Sequence, residues 1–599
     1  MSRLENRRFK NFAPLLAAFG ATGLLLTVIQ PPWDFSAVAW IAFVPLLVVC
    51  SPEENPRRLA LVAYVVWLLY WLGNLGWLVP VTIAGWLVFC FYTAVLWPVL
   101  ALAVRWCRVK GVPLFVAAPV LIVGIERLQG FGLGGFLWRL LGHSQYRNTE
   151  IIQIADIFGA GGVSFLVAMV NGVVAEWIIV LISPMLEVGE RPAKINYRAM
   201  AAKTAVVVCA LVAALLYGRW RIGQAASCVE TGPTVAALQS NVPQSVKSAS
   251  ESSEKLFADL AAQSDAAAEA GAELIVWPET MVQATLNPSI LRLPLLDSNL
   301  SKVFDKALRE HAKDKAYLLI GAYGGTPKVK DENAFFLAER FNTAFLYRPD
   351  GTQAPEIYNK IHLVPFGEVL PLRKTLPWFY EMLMKIDFIP YHYDYSLDYG
   401  TEYTVFKMTD NAGRDWQFSV MICYEDVTPY IAREFALDGS GNKQVHWLLN
   451  ISNDGWFVQF DDEQQVRPSA ELQQHAALCV FRAVENRLAV VRSVNTGISC
   501  VIDTLGNIRD DFQAGTLPER AMARTGMPGW LVDTIPVDNR TTFFSKYGQW
   551  LDFCCELCVA SLIIMAIVAR FSERRKRRVH LSGKSDEKHP SKRSVKKQK

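Results

Sequence analysis

The sequence predicts an α-helical membrane bundle that carries an inserted α/β domain, and three observations predict it. Apolar residues make up 52% of the 599 positions and mean hydropathy is +0.20, too high for a chain wholly dissolved in water. Runs long enough to approach a spanning helix of roughly 20 residues crowd the first third. Between residues 218 and 550, short β-branched runs alternate with helical stretches, the pattern of a layered α/β domain.

The apolar runs lie near 12–29, 36–50, 59–79, 82–104, 112–128, 158–183 and 203–217, with one more at 551–569, about eight spans in all. The first run is long, lacks a small-residue cleavage site and is followed by further spans, so it reads as a span and not as a cleaved leader. Lys and Arg near helix ends stay preferentially in the cytoplasm. Arg3, Arg7, Arg8 and Lys10, then Arg57 and Arg58, then Arg105, Arg108 and Lys110, then Arg191, Lys194 and Arg198 occupy every second connection. The connections around Pro31 and Pro80 carry no basic residue. This places both termini in the cytoplasm and residues 218–550 outside, with Arg219 and Arg221 on the wrong side of the rule.

The expected domains are a transmembrane domain over 1–217, an extracytoplasmic catalytic domain over 218–550, a last span over 551–570 and a basic tail over 571–599. The tail is expected to be disordered, and it suits anionic lipid better than nucleic acid because it directly follows a span. The 18 Trp and 32 Phe suit rings gathered at headgroup level. Eleven Cys in so long a chain predict no structural disulfide, and Cys554, Cys555 and Cys558 read as packing residues of the last span. His362, His392 and His475 lack metal-ligand spacing, so neither a metal nor another cofactor is expected.

In the inserted segment, Thr234–Leu238, Leu274–Trp277, Tyr317–Ile320, Ser419–Ile422, Trp447–Ile451 and Ala489–Val494 read as strands, and 250–270, 297–313 and 468–487 as helices. Three residues in these surroundings carry chemistry. Glu279 ends the strand Leu274–Trp277 beyond Pro278, which stops ladder pairing and frees the carboxylate. Lys360 sits before Leu363-Val-Pro-Phe-Gly-Glu368, too apolar a stretch for a solvated loop, and Glu368 is its expected ionic partner. Cys423 follows Ser419–Ile422 and precedes a predicted helix from Val427 to about Leu437, whose dipole favours thiolate. A carboxylate to accept a proton, an ammonium to steady an oxyanion and a thiol to attack a carbonyl form a complete set for covalent catalysis.

Leu274-Ile-Val-Trp-Pro-Glu-Thr280, Tyr358-Asn-Lys-Ile-His-Leu-Val-Pro-Phe-Gly-Glu368 and Phe418-Ser-Val-Met-Ile-Cys-Tyr-Glu-Asp426, in this order, resemble the nitrilase (carbon-nitrogen hydrolase) superfamily. That resemblance implies a four-layer α-β-β-α sandwich. Placed between spans, the domain further resembles the bacterial apolipoprotein N-acyltransferases. Leu238-Gln-Ser-Asn-Val-Pro-Gln244, Gly142-His-Ser-Gln145 and Asn450-Ile-Ser-Asn-Asp-Gly-Trp456 extend the likeness.

The resemblance implies Glu279 as general base, Lys360 as oxyanion-stabilising cation and Cys423 as nucleophile, supported by Glu368, Tyr424, Glu425 and Trp456. It implies an inner-membrane enzyme that moves an acyl chain from a phospholipid, through a Cys423 thioester, to the α-amino group of the S-diacylglyceryl-cysteine of an apolipoprotein. The alternative is a membrane-anchored amidase or nitrilase acting on a small extracytoplasmic amide. A binding scaffold has no evident use for the full triad.

Residues 376–396 are too aromatic for a solvated connection and read equally as a lid over the membrane or a small packed subdomain. The likeness departs at Ser248, where the family commonly has an aromatic, and over Val458–Arg467, which is longer and more acidic than usual.

Overall fold

In the computed structural model the described residues are 12–130, 135–186, 196–243, 250–293, 300–331, 334–369, 375–384, 396–461 and 465–586. Every apolar run falls on helix: Phe12–Val28, Ser36–Ile41 with Val44–Val49, Pro56–Asn74, Ile83–Ala94 with Leu96–Val109, Leu114–Gln129, Ala155–Leu186, Tyr197–Gly223 and Trp550–Asp586. Among the described residues, four stretches are long and apolar enough to cross a membrane, namely Ile83–Val109, Ala155–Ile182, Tyr197–Cys228 and Trp550–Ser572. Phe12–Val28 and Ser36–Val49 are shorter apolar helices, so length and composition by themselves single out four of the expected eight spans. The physical reasons are local. The second run breaks between a 3-10 turn and a short helix with Pro45 in its first turn. Pro56–Asn74 opens on Arg57 and Arg58, and Leu114–Gln129 ends in Glu126 and Arg127.

Local chemistry sets these helices. Asn55 caps Pro56–Asn74 by accepting from the Arg57 amide at 2.9 Å, and Pro56 fills the first turn, where no amide partner is needed. Small residues let helices close: a Cβ on Gly124 would lie 2.6 Å from the Cys555 carbonyl oxygen of the last helix. Trp67 and Trp97 meet at 3.9 Å between ring centroids inside the bundle. The last helix runs on through Arg574–Arg578 to Asp586, a stretch expected to lack structure, and 587–599 lie outside the described residues.

Among the described residues the inserted domain has fifteen strands: β1 (Val229–Gln239), β2 (Leu274–Val276), β3 (Val282–Thr285), β4 (Tyr317–Asp331), β5 (Ala334–Tyr347), β6 (Gln353–Asn359), β7 (Phe406–Thr409), β8 (Asp415–Ile422), β9 (Trp447–Asn453), β10 (Gln459–Phe460), β11 (Val466–Arg467), β12 (Ala489–Asn495), β13 (Cys500–Ile502), β14 (Ala514–Gly515) and β15 (Gly529–Asp538). One sheet runs β14-β15-β1-β2-β4-β5-β6, with β3 on β4, and the second runs β13-β12-β9-β8-β7. The pairs β1–β2, β2–β4, β8–β9 and β9–β12 are parallel.

Side-chain alternation divides the first sheet between two cores. Val235, Ala237, Leu274, Val276, Leu319, Ala344 and Leu346 face the second sheet. Ala236, Leu238, Ile275, Leu318, Ile320 and Phe345 face the helices Ser250–Glu269 and Leu300–Ala312, through Leu256, Leu260, Phe304 and Leu308. Every residue of β9 and β12 is buried, as parallel strands covered on both faces must be. Helices Pro429–Ala436 and Ala470–Asn486 cover the other side, which completes the α-β-β-α sandwich. Ser493 ties the sheets together by donating to the carbonyls of Leu238 and Val276, each at 2.8 Å.

The helix Tyr197–Gly223 passes the expected boundary at 217 and carries Arg219 and Arg221 into ion pairs. Arg221 meets Asp156 at 2.6 Å, Arg487 meets the same carboxylate at 2.7 Å, and Arg219 meets Glu150 at 3.1 Å. The exceptions to the charge rule are therefore groups paired at the joint between bundle and domain. The motif Gly142–Gln145 lies at the same joint: Gly142 donates to Ser164 Oγ at 2.8 Å, and the His143 ring packs on Phe481.

Gly321 on β4 has the backbone of residues 278–280 directly above it. A Cβ there would lie 2.5 Å from the Thr280 nitrogen and 2.8 Å from Glu279 Cα. Gly321→Ala is expected to cost roughly 1–3 kcal/mol because backbone cannot yield as a side chain does. Gly223→Ala, with nothing within 4 Å, is the matched control. Thermal unfolding in detergent checks this, and equal midpoints for the two variants would contradict the close approach.

Candidate active site

The parallel strands of both sheets end on the same side, and the three chemistry-bearing residues sit at or beside those ends. Beyond β2, the Trp277 amide still bonds the Leu319 carbonyl at 2.9 Å, and the chain then turns through Pro278, Glu279 and a left-handed Thr280 at φ 47°. Lys360 directly follows β6. Its amide donates to the Asn342 carbonyl and its own carbonyl accepts from Gly400, both at 2.8 Å. Cys423 follows β8 at φ 52°, a left-handed conformation that costs a non-glycine residue about 1 kcal/mol or more. Asn450 Nδ2 holds that turn by donating to the Cys423 carbonyl at 3.1 Å.

Lys360 is 1% exposed. Its Nζ lies 2.7 Å from Glu368 Oε2 and 3.5 Å from Glu279 Oε1, so the expected partner is present and Glu279 stands beside it. Burial pulls the Lys360 ammonium down, but Glu368, then Glu279 and Cys423, more than offset this and raise it above its ordinary value. Asn342 Nδ2 donates to Glu279 Oε1 at 2.6 Å and to Glu368 Oε1 at 2.9 Å, and the Val364 amide donates to Glu368 Oε2 at 2.9 Å.

Cys423 is buried beside these groups, and burial pushes its thiol well above the ordinary value, with Glu279 adding and Lys360 and His475 opposing. This corrects the expected dipole-stabilised thiolate. Residues Cys423–Asp426 form a one-turn 3-10 helix, and the α-helix begins only at Pro429, too far along to supply its dipole to the sulfur. The thiol therefore keeps its proton until a base removes it.

Glu425 couples the lysine loop to the cysteine turn. Its Oε1 accepts from the Ile361 and His362 amides at 2.7 and 2.9 Å, its Oε2 from the Ile422 amide at 2.7 Å, and Tyr358 OH lies 2.9 Å from both oxygens. Burial raises its carboxyl to about 7 against these donors. Tyr424 points to the bundle instead: its OH donates to the Gly135 carbonyl at 3.0 Å and its ring stacks on Trp138 at 6.5 Å. Trp456 is half-buried on the one-turn helix Asp454–Phe457 and, among the described residues, joins none of the polar contacts that tie the triad together.

A second buried cluster underlies the cysteine turn. His475 Nε2 lies 2.8 Å from Asp426, and its Nδ1 lies 3.2 Å from both Asp454 and Glu471, while Arg492 in mid-β12 pairs with Asp426. Burial opposes the His475 charge, but Asp426 and Asp454 raise its pKa well above the ordinary value. The ligand atoms of Asp454, Glu471 and His475 lie within 4.8 Å of one another, as a metal site requires. Arg492 also lies 3.7 Å from Asp454, so the protein places its own cation among these acids.

Outside the named motifs, sequence reasoning missed Asn342, which stands beside Thr343 and near Glu339 and Arg340 in β5 with no local signal to single it out. The other predicted motifs build strand ends. Gln239 Nε2 donates to the Arg524 and Met527 carbonyls, and Ser240 Oγ donates to Asn495 Oδ1 at 2.9 Å. Of the 376–396 arm, the helix Pro377–Met384 is described with Trp378 64% exposed, while 385–395 lie outside the described residues, as does Ser248. Val458–Arg467 contains the β10–β11 hairpin, with 462–464 also outside them.

Residues 22–173 match the family described as apolipoprotein N-acyltransferase N-terminal domain, and residues 233–517 match carbon-nitrogen hydrolase. An apolipoprotein N-acyltransferase of Geobacter metallireducens is 31% identical over 565 residues, 92% of this chain and 94% of that one. One of Chlorobaculum tepidum is 28% identical over 602 residues, 96% of this chain and 98% of that one. Among solved structures, an amidase from Nesterenkonia sp. AN1 is 18% identical over 51% of this chain and 91% of its own, at a TM-score of 0.32.

Glu425→Gln turns one acceptor oxygen into a donor that faces backbone amides. It is expected to cost about 2 kcal/mol or more and to unlock the lysine loop from the cysteine turn. Thermal unfolding with alkylation of Cys423 by iodoacetamide checks this; unchanged stability and unchanged alkylation would contradict the coupling.

Proposed function

The chain belongs to the apolipoprotein N-acyltransferase family, and from that premise we propose how its residues divide the work. It is an enzyme that N-acylates lipoproteins. The acyl donor is a membrane phospholipid, and the acceptor is the α-amino group of an S-diacylglyceryl-cysteine at a lipoprotein's amino terminus. Glu279 takes the Cys423 proton, and the sulfur attacks the ester carbonyl while the Lys360 ammonium faces the developing oxyanion. The tetrahedral adduct expels the lysophospholipid oxygen, which recovers the proton from Glu279, and a thioester remains. The acceptor amine then attacks the thioester, gives its proton to Glu279 and releases the thiolate, which is reprotonated.

The observation that carries this reading is a buried Cys423 in the same site as a lysine held between two carboxylates, in a domain fused to an apolar helical bundle. Glu368 keeps Lys360 charged, Glu425 keeps the two loops in register and Tyr424 ties the nucleophile's turn to the bundle, whereas Trp456 is assigned to substrate positioning by family likeness alone. Both substrates are lipids, and each CH₂ drawn from the bilayer costs ~0.8 kcal/mol, so the site comes to the membrane and not the reverse. We assign about eight spans, both termini in the cytoplasm and the sandwich on the outer face of the inner membrane.

Incubation of the purified protein with phospholipid vesicles is expected to add one acyl mass per chain, absent in Cys423→Ala and discharged by a diacylated lipopeptide. Intact mass spectrometry reads all three. An acyl adduct that survives in Cys423→Ala would remove the nucleophile assignment.

A further inference from the structure

Asn342 lies at the centre of the site and belongs to none of the recognised motifs. It is 3% exposed. One amide nitrogen reaches two carboxylates, Glu279 Oε1 at 2.6 Å and Glu368 Oε1 at 2.9 Å, while its backbone carbonyl accepts from Lys360 N at 2.8 Å. The orientation of the amide follows from chemistry, because two carboxylate oxygens can be met only by the NH₂ end. Asn342 Oδ1 is left without a partner among the described residues, which is the cost of keeping both N–H groups on the acids.

We propose that Asn342 is a positioning residue that holds the Glu279 carboxylate in the orientation that receives the Cys423 proton. Oε1 accepts from Asn342 Nδ2 and lies 3.5 Å from Lys360 Nζ, so its lone pairs already face donors that cannot take a proton back. The Cys423 S–H bond breaks, its electron pair stays on sulfur, and the proton passes to the Glu279 carboxylate. The same amide holds Glu368 in its charged, lysine-binding form. Without the amide, proton and ammonium would compete for Oε1, and protonated Glu279 would turn away from the sulfur.

The charged and titratable groups around Glu279 are Lys360 after β6, Glu368 in the following turn, Cys423 after β8 and, beyond it, His475 on the helix Ala470–Asn486. Asn342→Asp keeps the shape and replaces the donor with a third carboxylate among them. Like charge favours protonated forms within such a cluster, so the acidic limb of the rate should move to higher pH.

This inference rests on the transferase reading, and the test separates the two. Lysophospholipid release from vesicles is measured on the full-length protein between about pH 5 and 9. In Asn342→Asp the acidic limb is expected to move up by at least about one unit, with the rate partly recovered at high pH. Asn342→Ser, which loses the bridge without adding charge, should move it less and serves if the aspartate variant does not fold. A fall in rate equal at every pH, with the limb unmoved in whichever variant folds, would make Asn342 a packing residue and overturn the inference while leaving the transferase intact. A wild-type protein that releases no lysophospholipid would overturn the transferase reading and this inference with it.

Discussion

The site is organised around one buried ammonium. Removing Lys360 from water is costly by several kcal/mol unless charge and hydrogen bonds replace its hydration. Here Glu368 at 2.7 Å and Glu279 at 3.5 Å replace it. That requirement brings three chain segments together, one after β2, one after β6 and one at Val364–Glu368, and Asn342 spans their carboxylates. Two negative charges around one positive leave one carboxylate in excess, and in the proposed reaction that excess is the base. Burial places the Cys423 proton within this arrangement and holds the thiol up, so the excess negative charge and the missing thiolate are two aspects of one balance.

Beneath the nucleophile the same logic recurs with opposite polarity. Asp426, three residues beyond Cys423, is held by His475 at 2.8 Å and by Arg492. The cysteine turn is thus pinned from below by an ion network and from the side by Glu425, which explains how a residue at φ 52° keeps a left-handed conformation. The network continues into the bundle. Trp138 packs on His475 at 5.6 Å and donates to Gln474 Oε1 at 2.8 Å, and Tyr424 reaches Gly135. The nucleophile's turn is therefore mechanically continuous with the membrane helices.

What the sequence disclosed follows from which interactions are local. The strands at Leu274–Val276, Trp447–Asn453 and Ala489–Asn495 were legible because burial on both faces makes each open on three consecutive apolar residues. Glu279, Lys360, Glu368 and Cys423 were legible because each stands in a short motif, and the Lys360–Glu368 pair because the intervening loop is too apolar to be solvated. Asn342 was not, because its meaning lies in two acids 63 and 26 residues away. Arg492 was read as part of an apolar strand, since nothing local announces Asp426. The helix dipole was misjudged because a 3-10 turn replaces the first α-turn, a choice made by Glu425 reaching back to the Ile422 amide at 2.7 Å. Arg219 and Arg221 defied the loop-charge rule because that rule omits acids such as Asp156 and Glu150, which fold back onto them.

A thioester in water is a hydrolysis intermediate, so a transferase built on a hydrolase's three residues must differ in what surrounds them. Cys423 is 7% exposed, Glu279 5% and Lys360 1%, so little room is left for bulk water at the sulfur. In the proposed reaction this burial has two consequences that reinforce each other. It excludes the competing nucleophile, and it strengthens the Lys360 field on an oxyanion by removing the dielectric that would screen it. It also raises the thiol, which in open solvent would be a handicap. Inside the site it is useful: a sulfur that ionises only as Glu279 receives the proton cannot accumulate as free thiolate, and Glu279 then holds that proton for the departing lysophospholipid. One desolvated pocket thereby couples activation, leaving-group protonation and survival of the thioester.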